Sequence, residues 1–464
     1  MKKFYQRFCW LEETICCCGF MFMIGLVFLS AVARTTGHPL SWSIDISQLL
    51  LCWTTLIGAD VAFRKKKILG LDLFTKKLPV PVQRALGIFL DIVIQIGLPV
   101  AFVIGIAGLA FFAVTPDIPF SITVQRIVAQ TQSYSFLAVP FFIFAGTLMN
   151  ESGITKRILT FASSLTRRMW GGTAQVSAVM STMMGGVSGS ATADACMETR
   201  LLGPSMLEKG YSRGYIVAVN SLTGMICATI PPSMGLIIYG FVGEVSIGRL
   251  FAAGIIPGIM MMLTLMLTIR ITCKRKGFDP PDKDLPRITF SEFMTNLAES
   301  IWALIFPVIL IVGIRFGVCT PSEAGAFCVV YAILIGKFVY KELTWDKFWG
   351  ALKTAVVDTA AVMLLITMSG PFSYAVTYCR LPQALANLIF GITSQPQLLM
   401  IIILVWLFIL GMFLDSNVNF LLLTPIFLPM VQKVGFDPVH FGVLMATIVT
   451  MGVFTPPYIR SVRS

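Results

Sequence analysis

The sequence predicts an all-α polytopic membrane protein, and three observations carry that prediction. The 464-residue chain is 56% hydrophobic and only 12% charged, with a mean hydropathy of +0.84, whereas a soluble domain carries about 25% charge. Apolar runs of about 20 residues recur, each suited to a helix across a hydrocarbon core of roughly 30 Å; TICCCGFMFMIGLVFLSAVA, IPGIMMMLTLMLTIRI and QLLMIIILVWLFILGMFL are three of them. The apolar–polar alternation of a membrane barrel is absent.

From the N-terminus onward, the formal charge of +12 sits in short loops: MKK at the start, RKKK at 64–67, KK at 76–77 and KRK at 274–276. Positive loops of this length stay in the cytoplasm, which puts the N-terminus and the 64–77 loop on one side with two helices between them. Loops facing lipid headgroups account for the charge, so the expected partner is the lipid bilayer and not nucleic acid. The first apolar run ends without an A-x-A cleavage site and reads as a retained helix. The eleven cysteines lie mostly inside apolar runs, among them Cys16, Cys17 and Cys18, and none shows metal spacing backed by histidine. They read as small buried hydrophobes. Only His38 and His440 are available for imidazole chemistry.

Internal symmetry is the next signal, because transporters commonly carry inverted repeats. At an offset of 225, Gly186 meets Gly411, Pro204 meets Pro429, Gly210 meets Gly435, and Pro231-Pro232 meets Pro456-Pro457. Punctuation residues match while the apolar residues between them do not, as expected of two copies with one backbone path and drifted packing. Upstream the register slips by one, and Gly146 faces Gly370. Each copy reads as an apolar helix, a polar break, an apolar segment, a glycine turn, another helix and a second break at Pro-Pro. The breaks are GGVSGSATAD and ATIPPS in the first copy and GMFLDSNVNF and GVFTPP in the second.

Backbone that leaves helical geometry at membrane depth needs protein or a water-lined cavity to satisfy its polar groups. Four such breaks are therefore expected at one place near the midplane if the copies are inverted. Freed carbonyls, hydroxyls and a carboxylate make hard oxygen sites for a small alkali cation, and half-helix N-termini offer N–H groups to an anion. The cation candidates are Ser188, Ser190 and Thr229 in copy one and Asp415, Ser416, Asn417 and Thr455 in copy two. The alternative is that these small residues only let helices pack closely. An intramembrane Asp with Asn neighbours weighs against that alternative. Asp194 reads either as part of the site or as a cap or partner of Arg200 or Arg213. Asp60, just before RKKK, reads as half of a local ion pair. Gly186-Val187-Ser188-Gly189 also fits the GxSG pattern of rhomboid-type intramembrane serine proteases, but its base would have to be His440, which shares a register position with Tyr215 and reads as a helix-start residue. The chain does not read as an enzyme, and no catalytic residue is assigned.

LAVPFFIFAGTLMNESGI, GGVSGSATADA, ATIPPSMGLIIYG with VSIGRLFAAGIIPGI, TPSEAGAFCVVYA with YKELTW, and GMFLDSNVNFLLLTPIFLP with FDPVHFG and GVFTPP resemble, in order, the large membrane subunit of tripartite ATP-independent periplasmic (TRAP) transporters. Residues 1–95 resemble the small membrane subunit, so the whole is similar to the fused form: a scaffold domain over 1–95 and a transport domain over 96–464, with repeats at about 96–275 and 300–464. The resemblance implies an inverted-repeat, elevator-type secondary transporter of the bacterial inner membrane. It implies a symporter driven by Na+ as coupling ion, fed by a periplasmic substrate-binding protein, and importing a small organic acid such as sialic acid or a C4-dicarboxylate. In that fold two helical hairpins and two interrupted helices move. Their tips fall on Ser188 to Ser190 and Asp415 to Asn417, and the interruptions fall on Thr229 to Ser233 and Thr455 to Pro457. Sodium then sits at the oxygen sites given above, and Gly189, Asp194, Pro231 and Ser233 are the candidate contacts to the substrate.

Two departures from the family pattern are expected. Val82 to Val114 is one apolar run of 33 residues, too long for one span of about 20 and too short for two with a turn, so the small-subunit region reads as shortened near residue 95. The second copy ends at YIRSVRS, where the first continues through another helix, so it reads as C-terminally incomplete. A truncated, non-transporting relative is the alternative that this reading carries.

Overall fold

The computed structural model describes residues 2–36, 40–64, 100–115, 117–132, 134–281, 289–315, 318–392 and 395–455. Among the described residues every regular element is a helix. The chain runs through α1 (Lys2–Thr35), α2 (Ser41–Arg64), α3 (Val100–Val114), α4 (Ser121–Thr131), α5 (Ala138–Glu151) and α6 (Ile154–Thr166). Four helices of the first copy follow: α7 (Gly172–Ser188), α8 (Ala191–Glu208), α9 (Arg213–Thr229) and α10 (Met234–Val242). After α11 (Ile247–Lys276), α12 (Phe290–Arg315), α13 (Pro321–Leu334) and α14 (Trp345–Tyr378) come α15 (Leu381–Ile392), α16 (Pro396–Gly411), α17 (Ser416–Lys433) and α18 (Pro438–Val453).

Six described helices are long and apolar enough to cross a membrane, and α9 with α10, bent by 45° at their break, make a broken seventh. The run QLLMIIILVWLFILGMFL is not among them. Helix α16 stops at Gly411 after 16 residues, about 24 Å at 1.5 Å per residue. The last residues of that run form a turn, because Asp415 starts a new helix by accepting the Asn417 N–H. On α11, Ile256, Met260, Leu263 and Leu267 lie exposed at helical spacing, an apolar stripe that suits lipid. The stretch preceding Val100 and everything past Thr455, on which the two departures rest, lie outside the described residues.

The 225-residue register reappears in the element boundaries. Helix α8 runs from 191 to 208 and α17 from 416 to 433, while α9 begins at 213 and α18 at 438. Between the members of each pair stands a left-handed glycine, Gly210 at φ 83° and Gly435 at φ 87°, followed by an N-cap, Ser212 or Asp437, whose side chain accepts a main-chain N–H of the next helix. Both devices satisfy groups that a helix end leaves orphaned.

The chain divides into two compact units, one made of Phe141–Ile237 and Ser246–Leu352, the other of Met1–Pro140, Ile238–Val245 and Lys353–Ser464. In the first, α7 packs against α6, α8, α9 and α11, and α9 packs against α8 and α11. Asp279 ties the base of this bundle: its Oδ2 accepts from Thr173 N at 2.8 Å and from Tyr211 Oη at 3.2 Å, and Lys209 Nζ lies 3.2 Å from Oδ1. Burial and this carboxylate both push the Tyr211 hydroxyl to a higher pKa, so it stays protonated and donating. In the second unit, Gly19 of α1 faces Leu50 and Thr54 of α2, and Arg64 pairs with Glu12, so these helices run antiparallel. Arg64 also holds Asp60 at 2.6 Å, the local ion pair expected from the sequence. The buried Tyr239 of α10 donates to Pro438 O at 2.6 Å, anchoring that half-helix on the first turn of α18.

Candidate functional site

In the first unit, α7 ends at Ser188, Gly189 turns left-handed at φ 60°, and the extended Ser190 precedes α8. A Cβ on Gly189 would stand 2.6 Å from Pro232 O, so a glycine lets this hairpin tip close on the break between α9 and α10. Met234 N–H donates to Gly189 O at 3.2 Å across the same contact. At the break Thr229 ends α9 with its hydroxyl on Met225 O at 3.2 Å, and Ser233 Oγ accepts the Leu236 N–H at 3.4 Å to begin α10. Both side chains are fully buried. Gly254 of α11 approaches from beneath, where a Cβ would come within 2.3 Å of Thr229 O. The tip glycine Gly189 is thus brought to Pro232 and Met234 of the break, beside Pro231 and Ser233. The side chain of Ser188 lies outside the described residues.

Within the same hairpin is a cluster of which the sequence motifs mark only Asp194. Asp194 and Glu198, one turn apart on α8, are both fully buried. Ser181 Oγ lies 2.8 Å from Asp194 Oδ2 and 2.7 Å from Glu198 Oε1. Ser177 Oγ lies 2.5 Å from Glu198 Oε2 and 2.7 Å from Thr223 Oγ1, and Thr223 Oγ1 lies 3.0 Å from Glu198 Oε2. Asn220 completes the group, its Oδ1 3.1 Å from Ser177 Oγ. Asp194 therefore neither caps a helix nor pairs with Arg200 or Arg213. It points into the hairpin because α7 supplies a hydroxyl there, and its Oδ1 has no hydrogen-bond partner.

The second tip is built differently. Asp415 is the N-cap of α17 and its Oδ1 accepts the Asn417 N–H at 2.9 Å, a local role sufficient to place an aspartate there. Asn419 Nδ2 donates to Leu414 O at 3.0 Å and Asp415 O at 3.2 Å, which holds the turn, while its buried Oδ1 has no partner. Ser416 and Asn417 are half-buried in the first turn. Thr455 follows the end of α18 with its hydroxyl on Gly452 O at 2.6 Å. Pro456 and Pro457 lie outside the described residues. His440 is exposed in the first turn of α18, with its main-chain N–H on Asp437 Oδ1 at 3.3 Å, which is the helix-start role expected of it.

Ser177, Ser181, Glu198, Asn220, Thr223 and Asn419 were not singled out by sequence. For the first five the signal is spacing: 177/181 and 194/198 at four residues and 220/223 at three put a pair of polar residues on one face of each of three helices. No cluster of His, Cys, Asp and Glu able to hold a metal ion occurs among the described residues. The hydroxyls, carbonyls and carboxylates at the tips are instead the hard oxygen donors that alkali cations take.

Two family descriptions match the chain: "Tripartite ATP-independent periplasmic transporter, DctM component" over residues 87–459, and "Tripartite ATP-independent periplasmic transporters, DctQ component" over residues 23–150. The two matches overlap over 87–150. The 2,3-diketo-L-gulonate TRAP transporter large permease protein YiaN of Escherichia coli (strain K12) is 36% identical, over 78% of this chain and 85% of its own length. The sialic acid TRAP transporter large permease protein SiaM of Vibrio cholerae is 37% identical, over 78% and 84%. The isethionate TRAP transporter permease protein DctMQ of Oleidesulfovibrio alaskensis is 33% identical, over 84% of this chain and 61% of its own length.

Proposed function

The chain belongs to the tripartite ATP-independent periplasmic transporter family, with DctQ and DctM regions in one polypeptide, and from that premise we propose that it is the membrane component of a sodium-coupled importer of a small organic acid. Permeases of this family lie in the inner membrane and work with a periplasmic substrate-binding protein. Three of the relatives' named cargoes, diketogulonate, sialic acid and isethionate, are small organic anions, and a fourth, ectoine, is a zwitterion that also carries a carboxylate, which supports a small carboxylate or sulfonate cargo. Sialic acid and C4-dicarboxylates are the cargoes to test first.

The observation that carries the coupling proposal is the contact of Gly189 with the Pro231–Pro232 break. Two chain interruptions meeting in one place present carbonyl oxygens and hydroxyls together in a region otherwise apolar. A cation held by Ser190, Thr229 and the neighbouring carbonyls neutralises charge there, and the positive end of the α10 helix dipole at Ser233 favours an anionic substrate. In the second tip Asp415, Asn417 and Thr455 supply the corresponding oxygens. Sodium drives uptake if it binds the substrate-competent conformation more tightly than the other, since a ligand shifts an equilibrium only through differential affinity. Elevator movement of the hairpins is the conformational change proposed.

The test is uptake into proteoliposomes with a cognate binding protein and an imposed sodium gradient. Uptake that follows the gradient and is abolished by Asp415→Ala is the expected result. Uptake indifferent to sodium, or unchanged by that substitution, overturns the sodium assignment.

A further inference from the structure

The buried cluster inside the first hairpin is one proton short of its own hydrogen bonds. Four of its oxygen–oxygen contacts are 2.8 Å or shorter: Ser177–Glu198 at 2.5 Å, Ser177–Thr223 at 2.7 Å, Ser181–Glu198 at 2.7 Å and Ser181–Asp194 at 2.8 Å. Contacts of this length hold a proton between the two oxygens. Ser177, Ser181 and Thr223 supply one hydroxyl proton each, and since Thr223 Oγ1 also lies 3.0 Å from Val219 O, the hydroxyls supply at most three. The fourth proton has to be carried by a carboxyl group, because no other atom in these contacts can take one.

We propose that Asp194 and Glu198 hold a single proton between them, exchanged through the hydroxyl of Ser181, so that the first hairpin carries a protonation site besides its cation-binding tip. In one arrangement the Asp194 carboxylic acid donates to Ser181 Oγ, Ser181 donates to Glu198 Oε1, and the ionised Glu198 accepts from Ser177 as well. In the other, Glu198 donates to Ser181 and Ser181 turns its proton to Asp194. The two differ by the movement of two protons along one chain, with no bond broken elsewhere and no net gain or loss of charge.

Three further observations point the same way. Asp194 Oδ1 is buried and unpartnered, which suits the carbonyl oxygen of a neutral acid far better than half of an unpaired carboxylate. No counter-charge is present on the helices that pack against α8: α7 has no charged residue, and the only charged residue of α9 is Arg213 in its exposed first turn. The other titratable groups on α9 are Tyr215, at its start, and Cys227, whose thiol faces Met184 O at 3.9 Å. Arg200, Glu208 and Cys196 on α8 itself make no bond to the pair. The fold, finally, does not require the cluster. At the matching positions of the second hairpin stand Asn419, Leu423, Met445 and Ile448, and α16 buries only Leu399, Met400, Ile403, Leu407 and Gly411.

The inference adds to the transport reading and is tested separately from it. Infrared difference spectra of the full chain in lipid nanodiscs, in light and heavy water, read the carbonyl stretch of a buried carboxylic acid. One such group per chain at neutral pH, displaced in Glu198→Gln, where Asp194 alone keeps the proton, and shifted in Ser181→Ala, is the expected result. The isosteric Glu198→Gln keeps the hairpin folded, and Ser181→Ala provides an independent variant. Absence of any protonated carboxyl in the wild type, or a band untouched by both substitutions, overturns the proposal; a carboxylate band that responds only to added sodium marks a cation in its place and overturns it too. A band that behaves as expected beside uptake indifferent to sodium overturns only the choice of coupling ion.

Discussion

The first hairpin, α7 and α8, and the second, α16 and α17, share a register of 225 residues, yet they bury different chemistry. The first encloses two carboxylates and three hydroxyls between its arms and α9. In the second the same places are apolar, and one amide, Asn419, remains at the position of Asp194. Each of these two residues leaves a buried Oδ1 without a partner. The difference teaches that the backbone path of a hairpin is set by its turns and caps, which the copies share, while the polar content of its interior is free to diverge. What persists in both, a lone acceptor four residues after the N-cap, is the feature that the path alone does not explain.

The largest expected effect comes from forcing the second hairpin to resemble the first. Leu423→Glu buries a carboxylate at a position where Ile402, Trp406 and Ile448 stand in the register of Ser177, Ser181 and Thr223, at a cost of several kcal/mol, and loss of monodisperse folded protein in thermal-shift measurements is the expected outcome. The reverse exchange, Glu198→Leu, takes the shared acceptor from the buried hydroxyls of Ser177, Ser181 and Thr223, and a loss of stability of only about 1–3 kcal/mol is expected. A strong loss of stability in Glu198→Leu would break the comparison by showing that the cluster holds the first hairpin together.

Next in size is the tip glycine. Gly189→Ala meets Pro232 O at 2.6 Å and a left-handed backbone at once, so the tip cannot seat on the break and uptake is expected to fall below detection. Gly435→Ala has a similar backbone strain but open space around it, and only the conformational cost of about 1–2 kcal/mol is expected, read as a lowered melting temperature with uptake retained. Smaller still is the cap of α17. Asp415→Ala removes an N-cap worth about 1 kcal/mol, whereas Asp415→Asn keeps a capping oxygen and is expected to match the wild type in stability while losing sodium dependence. Full sodium dependence in Asp415→Asn would reduce Asp415 to a cap.

The register, the turn glycines and the helix class were legible in the sequence because each depends on local chemistry. Gly210 and Gly435 adopt conformations that side chains disfavour, and Pro204 and Pro429 punctuate at fixed distances, so both survive divergence of the packing around them. The span of α16 was misjudged from composition, since an apolar run reads the same whether or not it contains a turn, and only the capping side chain of Asp415 shows where one helix stops. Ser177, Ser181 and Thr223 were invisible for a related reason: a serine or threonine in an apolar helix ordinarily bonds its own preceding turn, and nothing in its neighbours along the chain says that a carboxylate from another helix stands opposite.

The sequence by itself determined that this is a helical membrane protein of the family, repeated at a spacing of 225 residues, with polar breaks at Ser188–Ser190, Thr229–Ser233, Asp415–Asn417 and Thr455. These follow from hydropathy and from backbone constraints that act over a few residues. Only the tertiary structure decided that Gly189 lies on the Pro231–Pro232 break and that Asp194 and Glu198 share Ser181, because those contacts join residues from 13 to more than 40 positions apart. Local propensity carries no information over such distances. Packing does, since a buried oxygen must find its partner wherever the fold brings one.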